Sequence, residues 1–155
     1  MVKIGGLVEQ SNLTMYRITS IKDEPGSAGE ILKLFAEENI NLQYITESSI
    51  PGDTAVMTLC VDDEQSEIID RIFAMNDHIT RQIKISKIEN VSLLGIYGPH
   101  FREKPFLAAQ FCKMLGKAGV NILGLSSSIS SISSIVAATE HRKGKSALLE
   151  FFELP

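Results

Sequence analysis

The stretch ITSIKDEPGSAGEILKLFAEENINLQYI, residues 18–45, carries the change of pattern that decides the fold. Its first residues belong to the strand-like segment YRITSI, residues 16–21, which precedes the helix. After a proline-glycine turn, apolar residues recur at Ala28, Ile31, Leu32 and Phe35, which is the spacing of one buried helix face. The stretch therefore predicts a strand, a turn and an amphipathic helix.

Both ends of this helix carry recognisable signals. Pro25 stands at or just before the first turn, where proline is tolerated. Ser27 followed by Glu30 is typical of a capping box, in which the two residues satisfy each other's backbone N–H groups. Asn39 stands just past the last turn and readily accepts a left-handed backbone conformation. We expect the helix to run between these signals.

The same pattern returns 80 residues later along the chain. Four identities share this offset: Pro25, Ala28, Lys33 and Asn41 recur as Pro105, Ala108, Lys113 and Asn121. The second copy repeats the apolar helix face as Ala108, Phe111, Cys112 and Leu115, and Gly119 takes the place of Asn39. An internal repeat of this length predicts two similar structural units.

The first unit, residues 10–90, has the pattern of a ferredoxin-like α+β fold. Strands are predicted at residues 16–21, 41–48, 54–61 and 80–89, and a second helix at residues 64–75. The order β-α-β-β-α-β gives a four-stranded antiparallel sheet with both helices on one face.

The second unit, residues 91–155, lacks one strand of this pattern. It begins with a strand at residues 91–98 and ends in an amphipathic stretch at residues 146–154. The strand-like residues 2–9 precede the first unit, which does not use them. We infer that they complete the second sheet, so that the first module is inserted within the second. The alternative is a frayed terminal tail.

Composition excludes several classes of protein. The chain is 44% hydrophobic and 22% charged, with a net charge of −4, which describes a globular protein with no electrostatic preference for nucleic acid. It shows neither a signal peptide nor a run of the about 18 apolar residues that span a membrane. A cytoplasmic protein is expected. Cys60 and Cys112 lie in apolar stretches and are interpreted as core residues.

The sequence shows none of the motifs that would indicate a catalytic site, a metal site or a nucleotide-binding loop. His78, His100 and His141 are far apart and have no partners at metal-ligand or triad spacing. A phosphate loop of the GxxxxGK[ST] type is also absent from the sequence. We expect neither an enzyme nor a bound cofactor.

The loop before the first helix suits a small amino acid. Gly26 allows close approach of a ligand, and the helix beginning at Ser27 presents N–H groups and a partial positive charge to a carboxylate. Asp23 would accept from an ammonium group, and the amide of Asn41 both donates and accepts. The alternative is a capped helix with a proline turn and no ligand.

Residues 18–45, with Asp-x-Pro-Gly before a helix that ends in Asn-Ile-Asn, resemble the ACT domain, a regulatory module that binds small molecules. Two copies with a leading strand resemble the C-terminal regulatory region of aspartate kinases and their separately made regulatory subunit. The resemblance implies tandem ACT modules that bind an amino acid, typically lysine or threonine, between modules of paired chains.

The resemblance also implies ligand groups in the first copy, and two of these positions depart from the family. The implied residues are Asp23, Glu24, Pro25, Gly26, Ser27, Asn41, Glu47 and Ser48. Glu47 stands where the family usually has Gln, and Ser48 where it has Asn. A carboxylate at position 47 would favour a cationic ligand.

The second copy differs more strongly. Its loop GPHFREKPF, residues 98–106, is about three residues longer than the first, has Phe106 after Pro105 and carries Arg102 and Lys104. This half binds a different ligand or none, and a solvated Arg102 is the simpler interpretation.

The serine-rich segment of the second copy begins five residues after Asn121, the counterpart of the candidate ligand residue Asn41. A turn near Ser130 and Ser131 is predicted to separate two strands. The preceding serines are interpreted as small hydroxyl residues at the edge of an interface pocket, with neutral filling of a strand as the alternative. These serines are Ser126, Ser127 and Ser128.

Taken together, these patterns favour an amino-acid-sensing regulatory module. It would form a homodimer and act on an enzyme partner such as a separately encoded aspartate kinase. The alternative is a constitutive dimerisation or interaction module that keeps the fold while its effector site has decayed.

Overall fold

The computed structural model describes residues 1–99 and 101–155, so His100 lies outside the described residues. The strands are β1 (Val2–Lys3), β2 (Gly6–Lys22), β3 (Tyr44–Ser49), β4 (Thr54–Asp62), β5 (Lys84–Tyr97), β6 (Gly124–Ser127), β7 (Ser131–Ala137) and β8 (Phe152–Glu153). The helices are α1 (Ser27–Glu37), α2 (Ser66–Met75), α3 (Asp77–Thr80), α4 (Leu107–Lys117) and α5 (His141–Leu149). Short 3-10 turns occupy Asp63–Gln65, Phe101–Glu103 and Ala138–Glu140.

The chain forms two compact units, one interrupted by the other. The inserted unit is Leu13–Glu89, and the outer unit consists of Met1–Asn12 and Asn90–Pro155. The α+β fold class, with antiparallel strands and the first module inserted within the second, agrees with the prediction.

The inserted unit has the strand order β3-β4-β2-β5. Strand β4 pairs antiparallel with β2, where Tyr16 faces Leu59, and with β3, where Tyr44 faces Cys60. One core joins this sheet to α1 and α2, since side chains of both helices are buried against it. Its buried members are Tyr16, Ile18, Ile21, Ile31, Phe35, Ile40, Ala55, Met57, Leu59, Val61, Ile69, Ile72 and Phe73.

The outer unit repeats this plan with the strand order β2-β5-β7-β6. Strand β7 pairs antiparallel with β5 and with β6, so that Ile135 lies opposite both Leu93 and Gly124. A separate two-stranded parallel sheet joins β1 to β8, with Val2 opposite Phe152. The buried core is Ile4, Leu94, Ile96, Phe101, Leu107, Phe111, Met114, Leu115, Val120, Ile132, Val136, Leu148 and Phe152.

Several predicted strand boundaries differ from those in the structure. The single strand predicted over residues 2–9 is divided, because Val2–Lys3 pairs with β8 while β2 begins at Gly6. The strand predicted at residues 16–21 is only the second part of β2. The strands predicted at residues 80–89 and 91–98 are one continuous strand, β5, which begins at Lys84 because α3 occupies the preceding residues.

Polar residues at the unit boundaries make each of the long strands β2 and β5 look like two separate strands in the sequence. Asn12 and Asn90 both adopt left-handed backbone conformations, with φ of 57° and 56°. Asparagine tolerates this conformation better than most residues, so it interrupts the alternation of side chains without ending the strand.

The start of α1 corrects the predicted capping box. The N-cap is Gly26, and in the described part of the chain no side-chain hydrogen bond caps the helix. Instead, Glu30 donates its backbone N–H to the Gly26 carbonyl over 3.0 Å. The box needs Ser27 in a non-helical conformation, but Ser27 is already the first helical residue, so it cannot serve as the cap.

The ends of α1 and α4 match one another, as the repeat predicts. Asn39 and Gly119 have φ of 56° and 74°. In each unit the next residue donates a backbone hydrogen bond to a carbonyl five residues earlier: Ile40 to Phe35 over 3.0 Å and Val120 to Leu115 over 2.9 Å. This bond turns the chain back over the helix end and places Ile40 or Val120 in the core.

The left-handed turn after α1 gives a first testable prediction. Because Asn39 is exposed, Asn39→Ala should destabilise the protein through its backbone, by about 1 kcal/mol, whereas Asn39→Gly should not. Urea unfolding of the purified protein measures both. Glu38→Ala, at the exposed neighbour with φ of −95°, is the matched control. An equal loss in Asn39→Ala and Glu38→Ala would contradict the prediction.

Candidate functional site

The loop between β2 and α1 is the first part of the candidate site. Strand β2 ends at Lys22, and the exposed residues Asp23, Glu24, Pro25 and Gly26 lead into α1. Gly26 has φ of 90°, and a Cβ added there would meet no atom within 4 Å. The turn therefore needs glycine for its backbone conformation and leaves open space above the first turn of α1.

An irregularity in β2 lies directly before this loop. The pairing of β2 with β4 shifts register between Ile18 and Ile21, and Ser20 within the shift has φ of 61°. A bulge of this kind changes the direction of a side chain at the end of a strand and is common beside functional sites. The sequence analysis missed Ser20, because no local pattern marks the bulge.

A cavity of about 170 Å³ lies at this end of the inserted unit. Residues from the end of β2, the first turn of α1 and the segment around α3 line it. They are Ser20, Ile21, Lys22, Glu24, Ser27, Glu30, Ile31, His78, Ile79, Gln82 and Ile83.

The charged groups of this cavity have both signs. The Lys22 ammonium lies 3.5 Å from the Glu24 carboxylate, in an exposed ion pair that contributes little to stability. Glu30 adds a second carboxylate in the first turn of α1. The buried side chains of Ile21 and Ile31 provide an apolar floor. The cavity thus offers acceptors for an ammonium group, a donor for a carboxylate and apolar surface for a hydrocarbon chain.

Only part of the predicted residue set meets at this cavity. Glu24 and Ser27 line it, and Asp23, Pro25 and Gly26 belong to the same exposed loop. Asn41, Glu47 and Ser48 are not among the described lining residues. Asn41 is exposed ahead of β3, and Glu47 and Ser48 are exposed on β3, which β4 separates from β2.

The loop before α4, which the repeat matches to the loop before α1, borders a second cavity, of about 240 Å³. It is lined by the loop before α4, the start of that helix and the β6–β7 turn. The residues are Phe101, Arg102, Lys104, Pro105, Leu107, Ala108, Ser127, Ser128 and Ile132. Among the residues described there, Ser126 and Asn121 do not take part; Asn121 is exposed. Of the three predicted serines, Ser127 and Ser128 therefore line the cavity.

The turn within the serine-rich segment is ordered by hydrogen bonds. Strand β6 ends at Ser127 and β7 begins at Ser131, so the turn lies slightly earlier than Ser130 and Ser131, where it was predicted. Ser128 donates its backbone N–H to the Ser131 carbonyl over 2.8 Å, and the two hydroxyl oxygens lie 2.9 Å apart. The segment is a β-turn between paired strands.

Three residues that are distant in the sequence form a connected polar group in the outer unit. The Ser92 hydroxyl lies 2.7 Å from His141 Nδ1, and His141 Nε2 lies 2.8 Å from a Glu9 carboxylate oxygen. Lys145 donates to the other Glu9 oxygen over 3.2 Å. The sequence analysis found no partners for His141, because only the fold brings β2, β5 and α5 together.

This Ser92–His141–Glu9 group contains the residue types of a hydrolytic triad, but its serine is inaccessible. Ser92 is 1% exposed, whereas a nucleophile must reach its substrate. The hydrogen bond from His141, reinforced by Lys145, holds the pKa of the Glu9 carboxyl below its ordinary value, and desolvation opposes the shift. The group therefore fastens the start of α5 to two strands.

Neither cysteine is placed for chemistry. Cys60 and Cys112 are free thiols; Cys60 is buried and Cys112 is half-buried. Burial raises the pKa of the Cys60 thiol to about 12, so it stays protonated at neutral pH. Within residues 1–99 and 101–155, no cluster of three His, Cys, Asp or Glu side chains could hold a metal ion. None of the described helices is long and apolar enough to cross a membrane.

Comparison with known proteins finds a family match within the inserted unit. Residues 16–73 match the ACT domain family. The aspartokinase of Mycolicibacterium smegmatis is 26% identical over 152 residues, which are 96% of this chain and 36% of that protein. The aspartokinase of Bacillus sp. strain MGA3 is 20% identical over 151 residues, which are 97% of this chain and 37% of that protein. The chain spans about a third of the length of these relatives.

Solved structures share the whole fold. The ligand-free regulatory subunit of aspartate kinase from Thermus thermophilus has a TM-score of 0.84 at 19% identity, covering 97% of this chain and 99% of that chain. Aspartokinase III of E. coli in complex with lysine and aspartate has a TM-score of 0.67 at 16% identity, covering 95% of this chain and 32% of that chain. The resemblance drawn from residues 18–45 is confirmed.

The Ser92–His141–Glu9 group gives a prediction about pH. A carboxylate whose pKa is lowered on folding stabilises the protein above its unfolded pKa, near the ordinary value of 4.5, and this stabilisation is lost as the pH falls through the folded pKa. Glu9→Gln should therefore be less stable than the wild type at pH 7, by up to about 1 kcal/mol for so accessible a pair.

The difference should shrink as the pH is lowered below about 4.5. Urea unfolding at a series of pH values measures it. Glu150→Gln, at an exposed position next to α5, is the matched control. A Glu9→Gln deficit that stays constant from pH 7 to acid pH would contradict the assignment.

Proposed function

We propose, on the premise that the chain carries an ACT domain within the fold of the aspartate kinase regulatory subunit, that it is an amino-acid-binding regulatory protein. Its ligand is a free α-amino acid, held at the cavity before α1. Occupancy of that cavity controls an enzyme of amino acid metabolism.

The observation that carries this proposal is the pairing of charges at one small apolar cavity. Lys22 and the N–H groups at the start of α1 suit the ligand's carboxylate, and Glu24 or Glu30 suits its ammonium group. Ile21 and Ile31 lie where the ligand's hydrocarbon chain would be covered. A zwitterion needs all three features together.

The charge balance of this cavity favours a cationic amino acid. Two carboxylates, Glu24 and Glu30, stand against the single lysine Lys22, so one carboxylate remains for a second ammonium group. Glu47 on β3 adds to the negative charge of the inserted unit. We propose ligands of the lysine class ahead of those of the threonine class.

The remaining predicted residues support binding between paired chains. Strand β3 is at the end of the strand order of the inserted unit, and it presents Glu47 and Ser48 in exposed positions. A strand edge of this kind can pair with another chain. We propose a homodimer in which Asn41, Glu47 and Ser48 reach a ligand held across the interface, and sedimentation equilibrium tests the dimer.

Regulation would follow from a population shift. A ligand that binds one arrangement of the modules more tightly than another shifts the equilibrium toward the first, and a partner that contacts the modules is switched with it. Since the chain matches about a third of the length of these aspartokinases and shares the fold of an aspartate kinase regulatory subunit, the partner proposed is an aspartate kinase, and no catalytic role is proposed for this chain.

A constitutive interaction module is the second candidate function. Glu47 and Ser48 differ from the residues usual in the family, and of the eight implied ligand residues of the first copy only Glu24 and Ser27 line the cavity. In this alternative the chain assembles with its partner without an amino acid.

Thermal unfolding in the presence of each protein amino acid separates the two candidates. A ligand that binds only the folded protein stabilises it by RT ln(1 + [L]/Kd), about 2.7 kcal/mol at a hundredfold excess over Kd. We expect lysine at millimolar concentration to raise the transition temperature. If none of the amino acids shifts the transition, the sensing function is wrong and the constitutive module remains.

Substitutions locate the site once a shift is observed. Glu24→Gln should reduce the shift without unfolding the protein, because the exposed Lys22–Glu24 pair contributes little to stability. Asn41→Ala should abolish it, as expected for a residue that contacts the ligand. Glu37→Gln makes the same chemical change on the exposed side of α1 and should leave the shift intact. An undiminished shift in Glu24→Gln and Asn41→Ala would place the ligand elsewhere.

A further inference from the structure

Each of the two repeated loops borders a cavity, and the two cavities differ in their other wall, which is the α3 segment in the inserted unit and the β6–β7 turn in the outer unit. Counting back from the repeated proline, Lys22 corresponds to Arg102 and Glu24 to Lys104. The acidic Glu30 in the first cavity corresponds to the neutral Gln110. The residue directly before the proline is therefore acidic in the first unit and basic in the second.

This substitution changes the sign of the second cavity. Arg102 and Lys104 both line it, and of its described lining residues none is acidic. Its other polar groups are the hydroxyls of Ser127 and Ser128, beside the apolar side chains of Phe101 and Ile132. Lys104 is half-buried and Arg102 is exposed. Two neighbouring cations repel one another, and an anion placed between them relieves that repulsion.

An α-amino acid does not fit this arrangement. Its carboxylate would meet Arg102 and Lys104, but among the described lining side chains only the hydroxyl oxygens of Ser127 and Ser128 could accept from its ammonium group. In the first cavity, Glu24 and Glu30 supply that acceptor. The two units therefore select ligands of different charge.

We propose that the outer unit binds a small organic anion without an ammonium group, at the cavity between the α4 loop and the β6–β7 turn. Arg102 offers a planar pair of donors that fits a carboxylate or a phosphate, and Lys104 adds a point charge. Ser127 and Ser128 supply hydroxyl donors. A volume of about 240 Å³ limits the ligand to a dicarboxylate or a compact phosphate monoester. This site is distinct from the amino acid cavity, and its test does not depend on amino acid binding.

Isothermal titration of the full chain with succinate, inorganic phosphate and L-aspartate tests the proposal. Succinate and aspartate differ by one ammonium group on the same carbon chain, so this pair isolates the predicted selectivity. We expect succinate or phosphate to bind, and aspartate to bind this site at least about tenfold more weakly, which corresponds to about 1.4 kcal/mol. The tighter of succinate and phosphate identifies the natural head group as carboxylate or phosphate.

Variants assign the binding to the cavity. Lys104→Glu restores the charge of the first unit and should weaken anion binding by at least about tenfold, whereas Lys104→Arg should keep it. Lys113→Glu makes the same change of net charge at an exposed position of α4 outside the cavity and should have little effect.

Three results would overturn the anion site. They are equal weakening by Lys104→Glu and Lys113→Glu, equal affinity for aspartate and succinate, and no binding of either succinate or phosphate at millimolar concentration. The thermal shift caused by lysine, measured on Lys104→Glu, distinguishes failure of the anion site from failure of the amino acid site. The shift should be the same as in the wild type, because the amino acid cavity lies in the inserted unit.

Discussion

The burial of one apolar stripe of α1 against the sheet is the interaction on which the inserted unit depends. Ile31 and Phe35 are almost fully buried, and Phe35 meets Phe73 of α2 edge to face at 5.7 Å between ring centroids. Because this stripe packs against the sheet, α1 begins close to the end of β2. The short loop that contains Glu24 therefore lies beside the buried side chains of Ile21 and Ile31. Core packing thus sets the position of the cavity, and the side chains of the loop supply its charges.

Local chemistry made the helices and their ends predictable, while the site depended on more distant contacts. The left-handed positions at Asn39 and Gly119 follow from residue type and spacing alone. The bulge at Ser20, by contrast, is a property of how β2 pairs with β4, and His78 reaches the cavity only because α3 follows α2. Sequence patterns report what a residue does within its own turn or strand, and cavities are built from residues that no such pattern connects.

The two units show how one frame can carry different chemistry. Pro25 and Pro105, with the helix that follows each, keep the same backbone plan, since both copies must bury an equivalent stripe. The residue before each proline is under no such constraint, because it lies in a loop outside the core. Glu24 and Lys104 stand at that position with opposite charges. Core packing therefore constrains the backbone of both copies, whereas the charge of the loop residue can differ between them.

The pairing of Val2 with Phe152 has a consequence for the order in which the protein is made. Residues 13–89, which form the inserted unit, emerge from the ribosome as one uninterrupted segment. The outer unit needs residues from both ends of this sequence, so β1 must wait for β8 to be translated. During synthesis, the inserted unit therefore has time to fold first, while strand β1 remains without its partner until β8 has been translated.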